Sequence, residues 1–387
     1  MSGHFTRLVL HNWRNFESVD VELTERVFVV GPNASGKSNL LDAFRFLQEL
    51  AIDGGGLTNA LEGAGRGGIR RIRSLHAKKN SQLHIEVEAE VDGDKWRYLL
   101  KLEATGPSHR PGPASVVEER VWLNRKVKLK RPDEDDERDP ELLLATALEQ
   151  RSANAGFRPL RDFLRSLDYI HVVPQLVRQA KADDTGRFGK GLGAGLVESI
   201  HVTPKKQQAS RLRRIELALK LVLPQFDKLE TFQDPGGRPH LRARYRHWRP
   251  QGVWQDESAF SDGTVRLIGL LWYLSGGNTP LLLEEPELSL HPAAVRQIPR
   301  VIAPIVRRTG RQVLMSTHSM DLLSDKGIDP SEVIVLETTA SSTKVLSGSK
   351  IPELVEAAAA DLPLGPAIDA LTRPPGLQNL PRFGEAR

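Results

Sequence analysis

The 387-residue chain is 39% hydrophobic and only 6% aromatic, enough for two or three ordinary domains or one large α/β domain with insertions. Lys and Arg outnumber Asp and Glu by 54 to 49, a net charge of +5 that permits contact with nucleic acid without requiring it. There is no cysteine, which excludes disulfides, thiolate zinc sites and cysteine nucleophiles. The opening MSGHFTRLVLHNW has no signal-peptide core and no apolar run reaches membrane-spanning length, so a soluble cytoplasmic protein is expected.

In chain order, Phe5 to Leu10 and Val19 to Leu23 alternate as strands. The apolar run Val27 to Val30 breaks at Gly31, and a helical pattern follows from Asn39 to about Ile52. Between them lies Gly31-x4-Gly36-Lys37-Ser38, a phosphate-binding loop in its required strand–loop–helix setting. The glycines let backbone N–H groups turn inward onto phosphates, and the helix adds the positive end of its dipole. Lys37 is expected to reach the β- and γ-phosphates, and Ser38 to offer its hydroxyl to Mg²⁺. Asn33, Ala34, Ser35, Gly36 and Asn39 complete the predicted nucleotide cradle.

The helix stops at Gly54-Gly55-Gly56, and the basic, glycine-rich Gly63 to Arg73 reads as a solvated loop. Leu83 to Val91 and Lys95 to Leu102 alternate around Asp92-Gly93-Asp94, a β-hairpin with an Asp-Gly turn. Val116 to Leu129 continues as antiparallel strand, and the acidic Asp133 to Asp139 reads as a solvated loop. Helical patterns over Pro140 to Gln150 and Phe157 to Leu167 lead into a strand, Tyr169 to Val173. The glycine-rich Gly186 to Gly195 lacks the strand and the lysine–hydroxyl pair of a second phosphate loop. Arg211 to Phe226 is an amphipathic helix. Leu241 to Trp254 interleaves arginines with aromatics, which suits either nucleic-acid contact or a strand with one wet face.

The chain turns apolar again from Phe260, with a buried helix (Val265 to Leu274), a strand (Pro280 to Leu283), a helix (Ala293 to Arg307) and a strand (Gln312 to Ser316). Closing strands are expected at Ile334 to Leu336 and Lys344 to Leu346, then an alanine-rich helix and a loose proline-rich end. Glu284 and Glu285 follow the strand Leu281–Leu283, the sheet edge where such folds place their chemistry. The first is expected near Mg²⁺, the second as the general base that polarises water. Ser261-Asp262-Gly263-Thr264 opens a buried helix whose N-terminus could cradle a γ-phosphate. Ser316-Thr317-His318-Ser319 places a histidine where a γ-phosphate sensor would sit.

This set resembles ABC-type ATPases of the RecF/SMC/OLD-like branch, in LVLHNWRNF before GPNASGKSNLLDAF, in EEPELSLHP and in STHS. The likeness covers roughly residues 1 to 50 and 255 to 320. It implies an α/β fold, a P-loop NTPase of ABC-ATPase head type, two-lobed, with a mixed α/β insertion. The expected parts are a first half of the head at 1–104 and an inserted lobe at 105–255. A second half of the head is expected at 256–350, and a C-terminal helix and tail at 351–387. It implies a head-to-tail homodimer around two ATP molecules, with Ser261 and Gly263 acting on the partner's nucleotide, Ser289 at the dimer interface and His318 on the γ-phosphate. A glutamine at the lobe junction usually assists Mg²⁺, and Gln175 is the candidate. Two departures stand out: Phe260-Ser261-Asp262-Gly263 replaces a leucine-led signature, and Glu284 replaces the usual aspartate. No long heptad run supports a coiled-coil rod, and no paired-acid strand of a TOPRIM nuclease follows His318.

By analogy with such proteins, the expected role is an ATPase subunit of a phage-defence or DNA-maintenance system, gating an effector such as a nuclease on another chain. One alternative is a RecF-like ATPase that clamps DNA directly through Arg66 to Arg73 and Arg242 to Arg249. Another is a non-hydrolysing ATP-dependent switch or scaffold. No membrane partner is expected.

Overall fold

The computed structural model describes residues 2–74, 82–106, 112–179, 192–248, 250–338, 342–374 and 376–377. Two six-stranded sheets sandwich the helix that follows the P-loop. The first runs β2 (Phe16–Glu22), β1 (Gly3–Trp13), β4 (Leu83–Val91), β5 (Asp94–Ala104), β6 (Ala114–Leu123) and β7 (Lys126–Arg131), antiparallel throughout. The Asp92-Gly93 hairpin forms as its sequence predicts, both turn residues taking the positive φ that such a turn requires. Residues 114–131 extend this sheet.

The second sheet runs β15 (Thr343–Ser347), β14 (Val333–Thr338), β3 (Arg26–Val30), β13 (Val313–Thr317), β12 (Leu281–Glu284) and β8 (Asp168–Ile170). All its pairs are parallel except β14 with β15. Its central strands are apolar on both faces because both are covered. Val27, Val29, Leu282 and Leu314 face the helix α1 (Lys37–Ala51) and the first sheet. Phe28, Val30, Leu281, Leu283, Val313 and Met315 face the helices Asp262–Leu274 and Ile298–Thr309. Gln312 stitches the two sheets, accepting from Phe5 N at 2.8 Å and donating to Phe5 O and Thr24 O, both at 2.8 Å. A third sheet, β11 (Val253–Asp256), β10 (Pro239–Tyr245) and β9 (Phe226–Gln233), packs with the helix Lys205–Val222.

Several local expectations change. The segment expected as a solvated basic loop carries Arg66 fully buried, with guanidinium bonds to Asp42 (2.7 and 3.0 Å), to Glu49 and to Ala60 O (2.6 Å), and a short helix at Ile69–Ile72. The acidic run is a helix, Glu134–Arg138, opened by an Asp133/Asp136 capping box, with Asp136 buried against Arg131 at 2.6 Å. Pro140–Leu144 is a short 3₁₀ helix rather than an α-helix, opened by Asp139, which accepts from Glu141 N at 3.2 Å, and Arg131 takes the carbonyls of Leu142 and Ala145. The helix expected over Ala293 to Arg307 divides into Pro292–Val295 and Ile298–Thr309. Part of the expected loose end is a further helix, Gly365–Thr372, which Pro366 can begin without losing a backbone bond. The stretch 186–191, most of the second glycine-rich segment, lies outside the described residues, as does Arg249.

Candidate nucleotide site

The parallel sheet sets the site's geometry. Val30 pairs with Thr317, and Ser316 with Glu284, so the carboxyl ends of β3, β13 and β12 share one edge. The P-loop, Glu285 and His318 are the residues that follow immediately, which is why segments far apart in sequence meet there.

The P-loop is braced from behind. Asn15, in the turn between β1 and β2, donates to Ser35 O and Thr343 Oγ1, both at 2.8 Å, and accepts from Asn39 Nδ2 at 2.8 Å. Gly36 has φ near 100°, and any Cβ there would run into the Asn15 side chain, so glycine is required twice over. Ala34 also takes a left-handed φ of 63°. Lys37 is buried, its ammonium donating to Gly31 O at 3.0 Å and Pro32 O at 3.1 Å. Burial holds its pKa below the ordinary lysine value, against the opposing pull of Glu285, Glu287 and Glu284.

Glu284 is gripped on both carboxylate oxygens. Ser38 Oγ donates to Oε1 and the Tyr169 hydroxyl to Oε2, while His171 Nδ1 lies 3.6 Å from Oε2. Burial resists ionisation, yet His171, Ser38 and Tyr169 together outweigh it, and the carboxyl pKa falls to about 2. Tyr169 shifts the opposite way, its phenol pushed up by burial and by the adjacent Glu284 charge. The Ser38 hydroxyl and the ionised Glu284 carboxylate are hard oxygen donors of the kind Mg²⁺ takes beside substrate phosphates. Among the described residues no cluster of three His, Cys, Asp or Glu side chains could hold a metal ion.

Glu285 sits at φ 42°, uncommon for a residue with a Cβ, with its amide fixed to Ser316 O at 3.1 Å. Its Oε1 is 3.2 Å from His318 Nδ1. Glu287 stands behind both: it accepts from Thr317 Oγ1 at 2.6 Å and from His318 N at 3.3 Å. Burial raises its pKa, while the Thr317 hydroxyl pulls it down, and its Oε2 has no hydrogen-bond partner.

Ser261 caps the helix Asp262–Leu274 by accepting from Thr264 N at 3.2 Å, and its side is exposed. A Cβ on Gly263 would lie 2.6 Å from Ser289 O, so the helix start and the exposed Ser289, itself at φ 62°, form one surface. Among the described residues neither Ser261 nor Gly263 hydrogen-bonds to the P-loop of its own chain. Gln175 is exposed on the helix Pro174–Gln179, with no hydrogen bond to Ser38 or Glu284. Tyr169 and His171 occupy the acid's side instead. Tyr169 pairs with Leu282 in the structure, so by period-2 alternation residues 169 and 171 share the face of Glu284, a register that the sequence does not give.

Two arginines of the second basic stretch are paired with acids. Arg242 bonds Glu230 at 2.7 and 2.9 Å and stacks 4.6 Å from the Trp254 ring, and Arg244 bonds Asp227 at 2.6 Å. No helix among the described residues is long and apolar enough to cross a membrane.

Residues 26–325 match the family described as "AAA domain, putative AbiEii toxin, Type IV TA system", and the chain belongs to that family of AAA ATPase domains. It is 30% identical over 122 residues to the Old nuclease of Escherichia phage P2, a match covering 28% of this chain and 21% of that protein. It is 35% identical over 96 residues to the DNA replication and repair protein RecF of Gloeobacter violaceus, covering 24% of this chain and 22% of that protein. The matched segments thus span about a fifth of those relatives' length. In fold it is similar to an Smc head domain derived from Pyrococcus furiosus, solved with an extended coiled coil and bound to the C-terminal domain of ScpA. The TM-score is 0.53 at 13% identity, covering 92% of this chain and all (100%) of that one. A second SmcHead, bound to the C-winged helix domain of ScpA, gives 0.50 at 16% identity, over 89% and 97% of the two chains. The α/β fold is therefore that of a P-loop NTPase of the ABC-ATPase head type.

Proposed function

We propose that this AAA-family chain binds ATP with Mg²⁺ at the edge of the parallel sheet and hydrolyses it, dimerising head-to-tail to do so. The observation that carries the reading is the convergence of Lys37, Ser38, Glu284, Glu285 and His318 at adjoining ends of β3, β12 and β13. Asn33, Ala34, Ser35, Gly36 and Asn39 form the phosphate cradle with Lys37. Ser38 and Glu284 hold the Mg²⁺ side, and the ion's chemistry there is to neutralise phosphate charge. Glu285 orients and deprotonates the attacking water, and His318 steadies that carboxylate while facing the γ-phosphate. Gln175 reaches the metal side only if the helix Pro174–Gln179 shifts on dimerisation. Ser261, Gly263 and Ser289 act on the nucleotide of a second copy. Their joint exposed surface supports that arrangement.

The work of the cycle is to gate a nucleic-acid-directed effector, such as a nuclease, on a separate chain in a phage-defence or DNA-maintenance system. The family's toxin–antitoxin description supports this over a RecF-like clamp acting through the chain's own arginines. Arg66 is buried, and Arg242 and Arg244 are already paired with acids.

The test is ATP turnover and molecular mass measured together for the parent, Lys37→Ala and Glu285→Gln, with and without duplex DNA. Loss of turnover in both variants, with an ATP-dependent dimer trapped by Glu285→Gln, supports the reading. Turnover that survives both changes, or mass that ignores ATP, overturns it.

A further inference from the structure

Tyr169 has no part in nucleotide chemistry as the sequence reads it, yet it is the residue that divides the Glu284 carboxylate. Its strand lies parallel to β12, with Tyr169 opposite Leu282 and Glu284 two residues further along the same face. That step is about 6.6 Å along a strand, which a phenol ring spans, and the hydroxyl meets Oε2 while Ser38 holds Oε1. One face of the ring is covered. Arg45 of α1 lies over it, 4.9 Å from the centroid, so Tyr169 is seated between the P-loop helix and the sheet. His171 Nδ1, 3.6 Å from the same oxygen, adds a second group on that side.

We propose that Tyr169 is a positioning residue that fits a glutamate to the metal-side position. A glutamate carries one more rotatable bond than an aspartate, and that freedom must be removed for one oxygen to stay at Ser38. The tyrosine removes it by anchoring the other oxygen to β8. The inference rests on the ATP–Mg²⁺ reading above and adds a dependence between two residues that the reading does not contain.

The experiment is a Mn²⁺ titration followed by electron paramagnetic resonance in the presence of a non-hydrolysable ATP analogue. It uses the full chain with Tyr169→Phe, Glu284→Asp, the double variant, and Lys37→Ala as reference. Tyr169→Phe should weaken Mn²⁺ binding about tenfold, the scale on which groups behind a metal ligand act, without changing metal-free nucleotide affinity. In the Glu284→Asp background the same change should alter Mn²⁺ affinity less than about twofold, because the shorter carboxylate no longer reaches the phenol. Arg45→Gln, which leaves the hydroxyl and unseats the ring, should weaken Mn²⁺ in the same direction and serves if Tyr169→Phe folds poorly. Parent-like Mn²⁺ binding in both Tyr169→Phe and Arg45→Gln overturns the proposal, as does an equal loss in the aspartate background. A parent that binds no Mn²⁺–nucleotide, or a Lys37→Ala protein that binds it equally well, overturns the ATP reading itself.

Discussion

His318 Nδ1 and Glu285 Oε1 meet at 3.2 Å from the ends of two neighbouring parallel strands, with the buried Glu287 holding the His318 amide at 3.3 Å. A carboxylate so placed is held in orientation by the imidazole. Glu285→Gln keeps the shape and removes the base, so turnover should fall about a hundredfold or more while ATP affinity changes little. His318→Ala leaves the carboxylate and frees it to rotate, and should cost less than Glu285→Gln. Steady-state turnover beside equilibrium binding of a fluorescent ATP analogue separates these outcomes; equal losses in affinity and turnover would count against a role confined to hydrolysis.

Arg66 supplies a different kind of prediction. It is fully buried and joins Asp42 and Glu49 of α1, the helix that carries the P-loop. Arg66→Ala would leave the buried Glu49 and the half-buried Asp42 with only Arg45 and Arg14, at 3.1 and 3.3 Å, a loss of about 3 kcal/mol, whereas Arg66→Met fills the space and should cost less than alanine. Urea unfolding measures both. The salt dependence of any DNA binding should be unchanged in either variant, because a buried arginine contacts no phosphate.

The difference between what the sequence disclosed and what it hid lies in range. Gly31, Gly36, Lys37 and Ser38 act through local backbone geometry, so their spacing is their signal, and the apolar run before them declares the strand. Glu284, Glu285 and His318 were legible because strand ends in a parallel sheet share one edge whatever separates them in the chain. Tyr169 was not, because the role proposed for it depends on the pairing of β8 with β12, 115 residues from Tyr169 to Glu284. Glycine-rich surroundings masked Arg66, whose partners Asp42 and Glu49 lie seven apart on one helix face. The Asp133/Asp136 spacing was a capping signal present in the sequence, overshadowed by the density of acids around it.

His240 gives the small third sheet a pH dependence. Its Nδ1 lies 2.7 Å from the buried Glu257 and its Nε2 3.4 Å from Asp234, with Phe232 stacked on the ring at 5.2 Å. Burial alone would lower its pKa, but the two carboxylates win and raise it above the ordinary histidine value. The stability this contributes is complete below about pH 6.5, the unfolded value, and is lost as pH rises through the folded one. Thermal unfolding scanned from pH 6 to 9 should therefore show a decline that His240→Gln flattens. A parallel decline in both proteins would assign the effect to other groups.

Gly263 offers the sharpest separation between folding and assembly. It lies in the first turn of the helix Asp262–Leu274 with no positive φ, so alanine there should favour the helix by up to about 1 kcal/mol. Against this, the added Cβ would stand 2.6 Å from the backbone oxygen of Ser289, and a backbone atom cannot yield as the end of a flexible side chain would. The exposed backbone around Ser289 must then move, and Ser289, already held at φ 62°, moves with it. Because that surface is exposed, the displacement should leave the melting temperature within a few degrees of the parent. It should also leave nucleotide binding by the single chain intact, while weakening ATP-dependent dimerisation about tenfold, the equivalent of ~1.4 kcal/mol. Mass photometry across a concentration series with Glu285→Gln in the background reads the effect directly. A dimer as tight as the parent's would mean that the joined surface of Gly263 and Ser289 does not face the second copy.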